Sequence, residues 1–197
     1  MKRTMVVLVA MVVLAAPAQA GFTIQQLSDG APQHHSRYED HWGADVVYRM
    51  KDTTGGTGDD QSLTDLYRHN GAAASPLTAN AVGHHSQYEV GWGPGIVYRT
   101  EDRTTTTGGL PRLTDLYYHD GAAATNLSNN VAGRYADYAT FWGGHIVYDI
   151  RDRTGGSGSQ QIFRDLYRHD GTTATSLSNN PPGLQSYYCA AWGADIV

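Results

Sequence analysis

The amino-acid sequence predicts an all-β fold of four-stranded antiparallel units, repeated about three and a half times. Three observations predict it. Trp42, Trp92, Trp142 and Trp192 recur every 50 residues, and Tyr38, Tyr88, Tyr138 and Tyr188 keep the same register. A fixed period of that length marks a repeat architecture. Within a unit, runs such as Val46-Val47-Tyr48 and Leu66-Tyr67 are β-branched and aromatic, which suits a pleated, half-buried surface. After the first 20 residues, no window sustains apolar residues at helical spacing.

Residues 1–20 read as a secretory leader. Lys2 and Arg3 form a short basic region, Met5 to Ala16 an apolar core, and Ala18-Gln19-Ala20 a small-x-small cleavage site. The apolar run is too short for a stable membrane span. The mature chain starts at Gly21 and is expected to be secreted or periplasmic.

Gly21 and Leu27-Ser28 align with Gly71 and Leu77-Thr78, so the mature chain opens on a lone strand D. Strand A of the first unit is expected near Tyr38–Trp42 and strand B near Asp45–Met50. Strand C is expected near Leu63–His69 and strand D near Ala72–Thr78. Thr53 to Gly58 breaks the chain between B and C. Asn70-Gly71, Asp120-Gly121 and Asp170-Gly171 predict type I′ hairpins between C and D, because Asn, Asp and Gly tolerate positive φ. Four short strands per repeat of this length describe a β-propeller blade. The units run at about 34–83, 84–133 and 134–183, with a partial blade at 184–197. The repeated Tyr and Trp are expected to fill the space between neighbouring blades.

The unit resembles the TolB-like class of β-propeller repeats, the WD40-like or PD40-type blades. Trp142-Gly143, Ile146-Val147-Tyr148, Leu166-Tyr167-Arg168-His169-Asp170-Gly171 and Thr175-Ser176-Leu177-Ser178-Asn179 follow that class in order. The resemblance covers residues 21–197. It departs at the Trp turn, where Trp142-Gly143-Gly144-His145 replaces the usual Trp-Ser-Pro-Asp-Gly. It implies partner binding by loops on one face or at the mouth of a central channel.

A closed ring that begins with a lone strand D should end with strands A, B and C. The sequence stops inside strand B, at Ala194-Asp195-Ile196-Val197. The expectation is a truncated fragment whose missing blades come from absent C-terminal sequence, or, second, from oligomerisation. Removing Lys2 and Arg3 takes the formal net charge from −5 to −7. That argues against nucleic acid or an anionic membrane as partner. Cys189 is the lone cysteine, so no intrachain disulfide is possible.

Residues shared by every unit are structural by default, and function is sought where the repeat breaks. His69, His119 and His169, with Asp52, Asp65 and their equivalents, read as turn and capping residues. The breaks cluster around strand A. His34-His35 and His84-His85 become Arg134-Tyr135 and Leu184-Gln185, while His41 and Asp45 also change from unit to unit. If the two His pairs meet at one channel mouth, their imidazoles could ligate Zn²⁺ or a similar ion. The alternative is a polar loop between successive blades. No Gly-x-Ser-x-Gly elbow, phosphate loop or His-Glu-x-x-His is present. The leading expectation is an exported, non-catalytic scaffold without a cofactor that binds a protein or other ligand. A carbohydrate-binding or carbohydrate-active propeller, lectin or lyase, is the first rival. A fragment without independent function is the second.

Overall fold

A computed structural model describes residues 31–58, 61–104, 113–130, 133–152, 163–189, 191–192 and 195–196. The expected leader and the lone strand D after it lie outside the described residues. All regular structure among those described is β. The first unit holds β1 (His34–Trp42), β2 (Asp45–Asp52), β3 (Leu63–His69) and β4 (Ala74–Pro76). The second holds β5 (His84–Trp92), β6 (Gly95–Asp102), β7 (Leu113–His119) and β8 (Ala124–Asn126). The third holds β9 (Arg134–Trp142), β10 (His145–Asp152), β11 (Phe163–His169) and β12 (Ala174–Ser176). β13 (Ala191–Trp192) pairs with β14 (Asp195–Ile196) as the first two strands of the next unit. Among the described residues no helix is long and apolar enough to cross a membrane.

Two local expectations need correction. Strand A starts four residues before Tyr38, because His34 to Arg37 pair with Asp52 to Arg49 along the whole hairpin. The tight two-residue turn sits between A and B, at Gly43-Ala44, where Trp42 pairs with Asp45. Gly43 takes φ +63 there. The Asn70-Gly71 connection is not a type I′ turn. Gly71 has φ +88, but Asn70 keeps a negative φ, and I′ needs both positive. Asn70 instead turns the chain with its side chain, Oδ1 accepting from the Ala72 and Ala73 amides at 2.9 Å each. Asp120 and Asp170 repeat this.

Strand C has two neighbours on one side. Tyr67 to His69 pair antiparallel with β4, while Thr64 pairs parallel with His85 of β5. Thr114 and Tyr135 repeat the junction. Twelve strands therefore join in one open sheet rather than in separate four-stranded sheets.

The loop from strand D to the next strand A is held by a buried carboxylate. Asp65 accepts from the Asn80 amide and the Thr78 hydroxyl, both at 2.8 Å. Thr78 Oγ1 in turn accepts the Leu66 N–H. The Asn80 side chain donates to Thr64 O and Ser86 Oγ. Burial pushes the Asp65 carboxyl above its ordinary range, against the pull of these donors. Asp115 and Asp165 make the same contacts with Ser128 and Asn130, and with Ser178 and Asn180. The expected turn role of this aspartate series is what the geometry gives.

One inserted residue decides how units stack. Tyr38 pairs with Tyr48, but Asp40 pairs with Val47, so Glu39 is a bulge. Side chains alternate faces along a strand, so Tyr38 and Trp42 would otherwise share one face. The bulge flips the phase. The tyrosine position then looks back to the preceding unit and the tryptophan forward to the next one. β5 and β9 carry the same irregularity. Accordingly, Val47, Leu66 and Leu77 of the first unit bury against Ile96 and Tyr98 of the second. Val97, Leu116 and Leu127 of the second bury against Ala136, Ile146, Tyr148 and Ile150 of the third. Trp42 Nε1 donates to Pro94 O at 2.6 Å, and Trp92 Nε1 to Gly144 O at 3.1 Å. The aromatics do fill the space between units.

Candidate cleft between the first two units

A cleft of about 350 Å³ opens where β1, β2 and β3 of the first unit meet β5 and β6 of the second. Its floor follows from pairing register. His35 lies opposite Lys51, Lys51 opposite Thr64, Thr64 opposite His85, and His85 opposite Glu101. One step along, Arg37 lies opposite Arg49 and Gln87 opposite Arg99. Alternation puts both rows on one face. Arg103, Ser36 and Ser86 complete the lining. Five permanently cationic side chains, Arg37, Arg49, Lys51, Arg99 and Arg103, thus share the cleft with one carboxylate, Glu101. This concentration stands on a chain whose net charge is −5.

Most of these cations have internal partners. Arg49 Nε lies 2.8 Å from Glu39 on the bulge. Arg99 lies 3.4 Å from Glu89, the equivalent bulge residue, and Arg103 lies 2.8 Å from Glu101. Burial pushes Glu89 above the usual carboxylate range, although Arg99 pulls it back. Arg99 also donates to Gln87 Oε1 at 3.1 Å and, across the unit boundary, to Asp137 Oδ1 at 2.6 Å. Arg37 is exposed and has no ion-pair partner among the described residues.

At the equivalent place between the second and third units, carboxylates of the protein meet its arginines. There Gln87 is replaced by Asp137, which is held by Arg99 and lies 3.7 Å from Arg151. Arg99 is replaced by Asp149, which is gripped through both oxygens by Arg164 of its own unit. The bulge glutamate disappears together with the arginine it served, leaving Ala139. Burial pushes the Asp149 carboxyl up, with Arg164 opposing.

The proposed metal residues separate. Neighbours on a strand point to opposite faces, so His34 and His84 leave the cleft face. His34 Nε2 lies 3.6 Å from Asp52, and His84 Nε2 lies 3.7 Å from Asp102. Arg134 takes the same place against Asp152 at 2.7 Å. The His-to-Arg break thus keeps a basic side chain beside the same strand aspartate in three units. His35 and His85 do line the cleft, but His85 is buried with its Nδ1 2.8 Å from the Thr64 hydroxyl. Among the described residues no group of three or more His, Cys, Asp and Glu is placed to hold a metal ion.

Other breaks are local repacking. Arg68 pairs with Asp45 and lies over the Trp42 ring at 4.4 Å. Tyr118 replaces that arginine and meets Trp92 edge-on at 5.0 Å. Gly95 replaces Asp45 because the Tyr118 ring stands where its side chain would go. His119 and His169 are buried at the next unit's edge, against Trp42 and Trp92. Tyr38, the first of its series, is 61% exposed.

The cleft was not visible in the sequence because its charges are dispersed over β1, β2 and β6 and the residue that follows β6. The signal that could have shown it is columnar. At 50-residue offsets, Arg37 becomes Gln87 and Asp137, and Arg49 becomes Arg99 and Asp149. Comparison with protein-family models, with curated proteins and with solved structures finds no match.

Proposed function

We propose that this chain is an exported, non-catalytic binding module whose repeats form TolB-like propeller blades, with the ligand held between its first two units. The observation that carries the reading is that a carboxylate of the next unit, Asp137, meets the boundary arginine Arg99 in one place, while in its equivalent Arg49 and Gln87 line a polar, cation-rich cleft. Repeat positions that differ while their scaffold stays constant are where a binding surface can be written. The cleft's size falls at the small end of ligand pockets. The Thr64–His85 pair is a buried tie across the strand junction, and Tyr135 takes the histidine's place at the next junction.

The tryptophans are poor sugar platforms, since Trp42 and Trp92 are engaged by the following unit. A glycan therefore remains a candidate ligand through the cleft and not through exposed indoles. The test is equilibrium binding by the purified mature chain to a panel of neutral and acidic small molecules and glycans. Saturable, one-to-one binding that Arg49→Gln weakens supports the reading. A panel with no binder at millimolar concentration overturns it.

A further inference from the structure

We infer that the ligand of this cleft carries a carboxylate, and that the carboxylate sits between Arg49 and Gln87. The inference rests on the binding-module reading and specifies its ligand. The second unit boundary supplies the template. There Arg99, the equivalent of Arg49, donates to Asp137, the equivalent of Gln87, at 2.6 Å. The same backbone frame at the first boundary presents the arginine with the amide of Gln87 in place of that carboxylate.

Charge pairing within the first unit points the same way. Arg37 and Arg49 are directly opposite on neighbouring strands. Like charges facing across a ladder destabilise a sheet. The third unit also carries a like-charge pair, Asp137 opposite Asp149, and there Arg99, Arg151 and Arg164 surround it. In the first unit Glu39 serves Arg49 alone. A ligand carboxylate between Arg49 and Gln87 would accept from a guanidinium and an amide N–H, within the field of Arg37 and Lys51. Charge-assisted bonds of this kind are the strong ones.

The experiment compares glucuronate with glucose, which share a ring but differ in the carboxylate, by calorimetric titration of the mature chain. Glucuronate should bind at least about tenfold more tightly, the ratio of one charge-assisted hydrogen bond. Gln87→Asp should install the internal carboxylate seen at Asp137, reduce glucuronate affinity about tenfold and keep or raise the melting temperature. Arg37→Gln should weaken glucuronate and reduce the salt dependence of its binding. Glucose binding as tightly as glucuronate overturns the inference and leaves the binding-module reading standing. So does Gln87→Asp binding glucuronate like the wild type. Silence from both sugars overturns both readings if the wider panel is silent too, and the inference alone if that panel yields neutral ligands only.

Discussion

Replacing Trp92 with Ala separates two roles for the repeated tryptophans, as ties between units or as exposed ligand platforms. The indole is partly buried, its Nε1 donates to Gly144 O at 3.1 Å, and its ring meets Tyr118 at 5.0 Å and His169 at 6.5 Å. Removing about 100 Å² of buried apolar surface, half of a large aromatic side chain, costs roughly 2.5 kcal/mol at ~25 cal/mol per Å². The partly solvated hydrogen bond adds about 0.5 kcal/mol. Trp92→Ala should therefore lose about 3 kcal/mol, at the low end for aromatic-to-alanine changes. For a chain of this length that lowers Tm by roughly 6–12 °C. Trp92→Phe keeps most of the ring area and should cost only about 1 kcal/mol. Urea unfolding followed by far-ultraviolet circular dichroism avoids relying on the fluorophore being removed. An alanine variant with the wild-type midpoint, or a phenylalanine variant as unstable as the alanine one, would refute the inter-unit role.

Four other outcomes follow from the same geometry. Burial holds His119 and His169 below the usual imidazole range, and each Nδ1 accepts a glycine N–H at 3.0 Å. Below about pH 6.5 the unfolded chain binds more protons than the folded one, so this stability is complete at neutral pH and lost as pH falls toward the folded pKa; a Tm unchanged between about pH 7 and 5 contradicts it. Gly121 has φ +105 and its absent Cβ would lie 3.4 Å from the Trp42 ring, so Gly121→Ala should cost about 1–2 kcal/mol by chemical denaturation. Arg164→Met leaves the buried Asp149 carboxylate unpaired and should cost about 3 kcal/mol, while adding Asp149→Arg, Ala139→Glu and Thr in place of Met at 164 should restore most of it by copying the first two units. Leu77 is 9% exposed and Leu177 41%, so Leu77→Ala should cost about 2–4 kcal/mol in urea melts and Leu177→Ala under about 1.

Sequence reasoning reached the elements that pair a β-prone run with a turn residue. Strand C was bounded at Leu63 and His69, where the structure also bounds it, because it holds the β-prone Leu66-Tyr67 run and Asn70-Gly71 closes it. Strand A was read short because His34 to Arg37 are polar throughout and join the sheet through backbone pairing alone. The turn type was misread because an Asn-Gly pair signals positive φ at both residues only when the side chain does not cap the turn itself. The bulge left no trace, since its residue is Glu39, Glu89 or Ala139 without a common chemistry. Without the bulge the register beyond it is unknown, and without register Arg37 and Arg49 are two scattered charges. Adjacent histidines suggested convergence from their closeness in sequence, but a pleated strand sends neighbours to opposite sides.

The bulge also explains which positions are free to vary. Tyr at 38, 88 and 138 and Trp at 42, 92 and 142 are invariant across units because one strand must contact two neighbours, one on each face. Tyr48, Tyr98 and Tyr148 stack on Tyr67, Tyr117 and Tyr167 at 5.4–5.6 Å and are constant for the same reason. Residues before the bulge on the forward face, 37 and 49 and their equivalents, meet the next unit only at the margin of its apolar core. Their identity can change provided that charge is balanced locally, which the third unit does by replacing glutamate with alanine, arginine with aspartate and threonine with arginine. The first unit keeps its arginines opposite each other, with Glu39 paired to Arg49 and no ion-pair partner for Arg37 among the described residues. A repeat that balances its charge in one copy and leaves it open in another has separated the positions that hold the fold from those that can hold a ligand.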